Sequence, residues 1–93
     1  MDNDEARAIL AEHLGSYRAL KYEELALRID SIETAEVQAP SGVRYQLEVR
    51  VMWDHEPNSD VRVLGSVDDG GWRAFRPLND DFIRAPDGRF VGE

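Results

Sequence analysis

The stretch SVDDGGWRAFRP, residues 66–77, gathers the densest set of groups that could do chemistry: paired carboxylates, paired glycines, and aromatic rings alternating with guanidinium groups. Asp68 and Asp69 could ligate a cation or hold a turn, since Asp bonds its own backbone and Gly70 and Gly71 tolerate positive φ. The turn alone explains all four. Trp72, Arg73, Phe75 and Arg76 combine residue types enriched at the centres of protein interfaces. Buried, the same Trp and Phe would be core, with the arginines stacked alongside. The candidate binding residues are thus Trp72, Arg73, Phe75, Arg76, Asp68 and Asp69.

Other constellations carry less. Asp54-His55-Glu56 offers oxygen and nitrogen ligands, but three consecutive residues rarely converge on one ion. Asp68, Asp69, Asp80, Asp81 and Asp87 could gather at one end of a sheet, yet no loop has the ligand rhythm of a calcium hand. His13 falls on an apolar helical stripe and His55 in a loop, neither near a nucleophile signature. No carboxylate pair is singled out for acid–base work. A strand follows Gly70-Gly71 where a phosphate loop needs a helix. The reading leans away from an enzyme, with no catalytic residue, metal or cofactor expected.

Charge narrows the partners. With a formal net charge of -8 over 93 residues, the chain would meet nucleic acid against repulsion along its whole surface. Tyr22-Glu23-Glu24-Leu25-Ala26 superficially matches a helix-turn-helix segment, but its charge is wrong for DNA. No apolar run approaches membrane-spanning length, and Met1-Asp2-Asn3-Asp4-Glu5 is acidic where a signal peptide is basic. Cysteine is absent, which removes disulfides and thiolate chemistry and favours a cytoplasmic location. Lys21 stands against ten arginines, a bias that points to a GC-rich bacterial genome.

The elements that must position these groups follow from periodicity. Ala6, Ile9, Leu10, His13, Leu14 and Tyr17 recur at helical spacing, with Asp2 and Glu5 placed as N-cap and partner and Gly15 as a stop. Tyr22, Leu25, Ala26 and Ile29 predict a second helix to about residue 29, poorly capped by Lys21. From Glu33 the period becomes two. Val43, Tyr45, Leu47, Val49, Val51 and Trp53 alternate with Arg44, Gln46, Glu48, Arg50 and Met52 in a long strand with one buried face.

Ala39-Pro40-Ser41-Gly42-Val43 suits a three-residue hairpin loop, with glycine in the left-handed position. That loop fixes a register: Val37 opposite Tyr45, Ala35 opposite Leu47 and Glu33 opposite Val49, with Gln38–Arg44, Glu36–Gln46 and Thr34–Glu48 on the other face. A third strand, Val61 to Val67, is predicted with Val61 opposite Trp53. A fourth, Trp72 to Leu78, has two possible registers. A four-residue loop points Trp72 and Ala74 inward; a three-residue loop points Phe75 inward, over Gly65. Ala85-Pro86-Asp87-Gly88-Arg89 repeats the first loop's chemistry and predicts a terminal hairpin near 82–85 and 89–92.

The C-terminal stretch GSVDDGGWRAFRPLNDDFIRAPDGRFVGE resembles a family of small bacterial domains of unknown function, with a DDGGWRAF run, a D-F-I step and P-D-G before F-V-G-E. The resemblance covers about a third of the chain. It implies no activity, ligand or catalytic residue.

The expected fold is α+β, a single two-layer domain over 1–93. Two N-terminal helices (1–32) pack on one face of an antiparallel meander of four or more strands (33–93). The expected function is non-enzymatic protein binding through the Trp72 to Arg76 strand or the polar sheet face, as an inhibitor or immunity-type partner of a basic protein; a homodimer is the other protein partner weighed. The alternative is a small-ligand domain or enzyme with a pocket between helices and sheet near His13 and Tyr17, or at the acidic turns.

Overall fold

The computed structural model describes residues 1–71 and 77–93. Helix α1 spans Asn3–Arg18 and short helix α2 Tyr22–Ala26; strands β1 (Ile32–Gln38), β2 (Arg44–Trp53), β3 (Val61–Asp68) and β4 (Leu78–Arg84) follow. The strands form one antiparallel sheet in the order β1-β2-β3-β4. Helix α1 covers one face, giving an α+β architecture.

The hairpin register is the one the turn predicts. Val37 faces Tyr45, Ala35 faces Leu47 and Glu33 faces Val49, because Ala39 donates its N–H to the Val43 carbonyl at 2.8 Å and Gly42 sits at φ +92°. The β2–β3 register also holds, from Trp53 opposite Val61 to Leu47 opposite Val67. Tyr45, Leu47, Val49 and Val51 alternate with Val61, Val63 and Val67 to build the inner face, all buried against Ala6, Leu10 and Leu14 of α1.

Three element boundaries differ from the expectation. Gly15 does not stop α1, which runs to Arg18 with Ala19 as its C-cap. Continuing for one more turn buries Tyr17, a gain that exceeds the roughly 1 kcal/mol cost of an interior glycine. At the other end Asp2 caps as expected, accepting from the N–H of Asp4 and Glu5 at 3.0 and 3.1 Å. The Glu5 carboxylate reaches across instead, accepting from the hydroxyls of Ser41 and Tyr45 at 2.8 Å each.

The second helix is shorter than expected, five residues ending at Ala26. Turns carry the chain on to Asp30, whose φ of 68° and N–H bond to the Val51 carbonyl (2.8 Å) redirect it into β1. The layer over the sheet is therefore carried by one full helix, α1, while α2 contributes the buried Leu25.

The strand beside β3 lies further along the chain than expected. Val67 faces Leu78, Val63 faces Phe82, and Asp80 stands opposite Gly65. The expected fourth strand falls, but for its last residues 77 and 78, outside the described residues, as does the inward turn of Phe75. What covers Gly65 is α1. The arm expected at 82–85 is mostly the end of β4, and the return arm makes one bridge, Phe90 to Arg84. Its turn repeats the first: Ala85 donates to Arg89 and Gly88 to Ala85, both at 2.8 Å, with Gly88 at φ +91°.

The C-terminal segment is locked on by arginines. Arg84 Nη1 donates to the carbonyls of Arg18 and Leu20 at 2.9 and 3.1 Å, closing the end of α1. Its guanidinium lies 4.2 Å from the Phe90 ring centre, and that of Arg18 lies 4.8 Å from that of Phe82. Such stacking favours a charged group that keeps one side wet.

A Cβ added at Gly65 would sit 2.9 Å from Leu10 Cδ1 and 3.0 Å from Leu14 Cδ2, whereas one added at Gly15 would meet nothing within 4 Å. Urea unfolding is therefore expected to show Gly65→Ala destabilised by about 1–3 kcal/mol through overpacking. Gly15→Ala is expected to be stabilised by up to about 1 kcal/mol.

Candidate functional site

Of the candidate binding residues, Asp68 and Asp69 are described; Trp72, Arg73, Phe75 and Arg76 lie outside the described residues. Asp68 Oδ1 accepts the Gly70 N–H at 2.8 Å and Asp69 Oδ1 accepts the Gly71 N–H at 3.1 Å. Gly70 has φ +81°. These are Asx turns, in which the carboxylate replaces a backbone acceptor. The Met1 ammonium lies 3.7 Å from Asp69 Oδ2.

The acidic residues Asp80 and Asp81 of β4 and Asp87 of the last turn are engaged locally or with Arg62. Asp80 Oδ1 accepts from the Asp81 N–H, and Asp87 Oδ1 from the Arg89 N–H, both at 2.9 Å. Asp81 is bound to Arg62. Among the described residues there is no group of three or more His, Cys, Asp or Glu arranged to hold a metal ion. His55 Nε2 lies 3.4 Å from Asp54 Oδ2 but projects into solvent.

The sheet face opposite α1 carries the polar half of each strand's alternation. Arg62 lies across it, with Nε and Nη2 donating to Asp54 Oδ1 at 2.9 and 2.8 Å and Nη1 to Asp81. The hydrogen bond it donates to Asp54 raises its pKa further, so the guanidinium stays charged and ties the β2–β3 loop to β4. Arg50 pairs with Glu48 at 3.2 Å and Arg44 with Glu36 at 3.6 Å. Between these pairs lies an open depression of about 210 Å³ lined by Glu48, Arg50, Leu64, Ser66, Pro77 and Asn79. Pro77 directly follows the 72–76 stretch.

A second surface lies on the helix side. Helix α1 sits over β2, β3 and β4 and leaves the inner face of β1 partly bare: Ala35 and Val37 are half-buried and Glu33 is exposed. Two adjoining open depressions of about 300 Å³ each fill this step, lined by Ile9, Glu12, His13, Ser16 and Val37, then by His13, Ser16, Tyr17, Leu20, Arg28 and Glu33. His13 and Tyr17, the residues of the expected pocket, are brought together here, their ring centres 6.1 Å apart.

The polar groups at its end satisfy one another. The Tyr17 hydroxyl donates to Glu33 Oε2, and Arg28 Nη1 donates to Glu33 Oε1 at 3.0 Å. Burial, then the Glu33 carboxylate, push the Tyr17 hydroxyl up to about 12; burial and Glu5 push Tyr45 up to about 12. Sequence reading placed Glu33 on the inner face but missed its bond to Tyr17. The available signal was that Glu33, in register with Val49, and Tyr17, on the helix stripe, fall on facing surfaces.

No family model, curated protein or solved structure matches the chain.

Two outcomes follow from these geometries. Asn retains the Oδ1 acceptor, so the double variant Asp68→Asn, Asp69→Asn is expected to keep the wild-type spectrum and lose less than about 0.5 kcal/mol in thermal melts. The folded state holds the tyrosyl protons more tightly than the unfolded chain does. Their contribution to stability is complete below pH 10 and is lost as pH rises through about 12. Urea midpoints are expected to fall over that window, and to fall less in Tyr45→Phe.

Proposed function

We propose that this chain is a non-enzymatic, cytoplasmic protein-binding domain that engages a basic protein through the uncovered face of its sheet, in the manner of an inhibitor or immunity-type partner. The observation that carries this reading is the depression around Leu64 and Arg50, on a face with no helix over it among the described residues. Apolar Leu64 and Pro77 line it together with Glu48, Arg50, Ser66 and Asn79, a mixture of apolar and polar groups that suits a modest interface. Pro77 in its lining directly follows, in sequence, the stretch that holds Trp72, Arg73 and Arg76. The net charge of -8 would steer a cationic partner and make the encounter fast and salt-sensitive.

The small-ligand alternative has less support. The groove near His13 and Tyr17 is open, and its Tyr17, Arg28 and Glu33 groups bond to one another. A ligand would have to displace those bonds.

The test is capture from a lysate of the source cell with immobilised wild type and with the variants Arg50→Glu and Leu64→Ser, at low and high salt. The expected result is a basic protein retained near one-to-one at low salt, released at high salt, and lost from both variants while their melting temperatures hold. Equal retention by the variants, or no retained protein at either salt, would overturn the reading.

A further inference from the structure

We infer that the outer edge of β1, with the groove beside it, is a strand-addition site for an extended basic segment of another protein. This surface is separate from the open sheet face, so the inference stands or falls independently of the function proposed above.

The backbone supplies the first argument. Ala39 donates to the Val43 carbonyl, and Val51 to that of Ser31 at 3.3 Å. In the unbroken register between these ends, the odd-numbered residues of β1 bond to β2. By antiparallel alternation, Ile32, Thr34, Glu36 and Gln38 direct their N–H and C=O groups outward. Among the described residues nothing pairs with that side. The edge is regular over seven residues, without proline or bulge; Glu33 and Glu36 are the charges that keep such an edge from pairing indiscriminately.

The groove supplies the second. A strand added to β1 would send alternate side chains to the α1 side, into the step between Val37 and the flank formed by Ile9, Glu12, His13 and Ser16. Half-buried Ile9 and Val37 offer apolar contact there. At the strand's start, Ile32 is 55% exposed, an apolar contact for the other face of the added strand.

Charge selects the occupant. Glu12 stands on the groove wall with no ion pair among the described residues, whereas Glu33 and Glu36 on the strand are paired with Arg28 and Arg44, so the unpaired acid of this edge is Glu12, within the chain's overall negative field. A second copy would bring a net charge of -8 against -8, and the acidic edge thus disfavours self-pairing. A segment alternating lysine or arginine with apolar residues fits both the groove and the field.

The probe is a capped seven-residue peptide alternating lysine and valine, with a glutamate–valine peptide as control, titrated into the ¹⁵N-labelled full chain. The expected result is saturable shifts confined to residues 32–38 and the 9–16 flank of α1 with the lysine peptide alone. Glu12→Gln is expected to weaken binding about threefold, the size of one exposed ion pair. Thr34→Pro removes an outward donor at a site proline tolerates on an edge, and is expected to abolish binding. A lysine peptide N-methylated on the amides that face β1 is expected to abolish it too, leaving the protein untouched. Equal binding of both peptides, no binding of either, shifts only on the open sheet face, undiminished binding of the N-methylated peptide, or a dimer already paired through β1 would each overturn the inference.

Discussion

The approach of α1 to bare backbone at Gly65 sets the geometry on which the other features depend. Leu10 and Leu14 lie where a side chain on β3 would stand, so the helix settles closely over this part of the sheet. Any residue larger than glycine at that position must displace those two leucine side chains, because packed interiors have little free volume. From this seat α1 reaches β2 and β4 but leaves β1 as a ledge. The groove beside His13 is the space between a helix held over one side of the sheet and a hairpin that extends beyond it.

Polar groups then lock the periphery without filling the ledge. Glu5 ties the first turn of α1 to the β1–β2 hairpin through Ser41 and Tyr45, and Arg84 closes the other end of the helix. Arg62 joins a loop to β4 across the opposite face. Several arginines are thereby engaged in structure, and the acidic excess stands at the surface. Exposed pairs of this kind add little stability each, but they orient the field that a partner would meet.

Much of the sheet was legible because side-chain period and turn chemistry are local. The spacing of Ala39, Gly42 and Val43 set the hairpin register, and apolar–apolar matching carried it to β3. Helix ends were less legible, since burial of Tyr17 beyond Gly15 is a tertiary gain that no local propensity records. The strand beside β3 is 78–84 and not the expected 72–78: LNDDFIR has no period-two alternation to announce it, and only its pairing with Val63 and Val67 selects it. Asp68 and Asp69 read correctly as turn residues. The groove was half-legible: His13 and Tyr17 share a helical stripe, but the ledge depends on where the helix sits, for which Gly65 between two valines was the sequence's one sign.

The most direct test of this account is amide hydrogen exchange on the free protein at native pH. Glu33, Ala35 and Val37 are expected to be protected by their bonds to β2, and Val49, Val51 and Val63 to exchange only on global unfolding. The outward amides of Ile32, Thr34, Glu36 and Gln38 are expected to exchange close to the unprotected rate. Uniform protection along β1 would mean that its outer edge is already covered, and would contradict the open ledge that the seat of α1 on Gly65 creates.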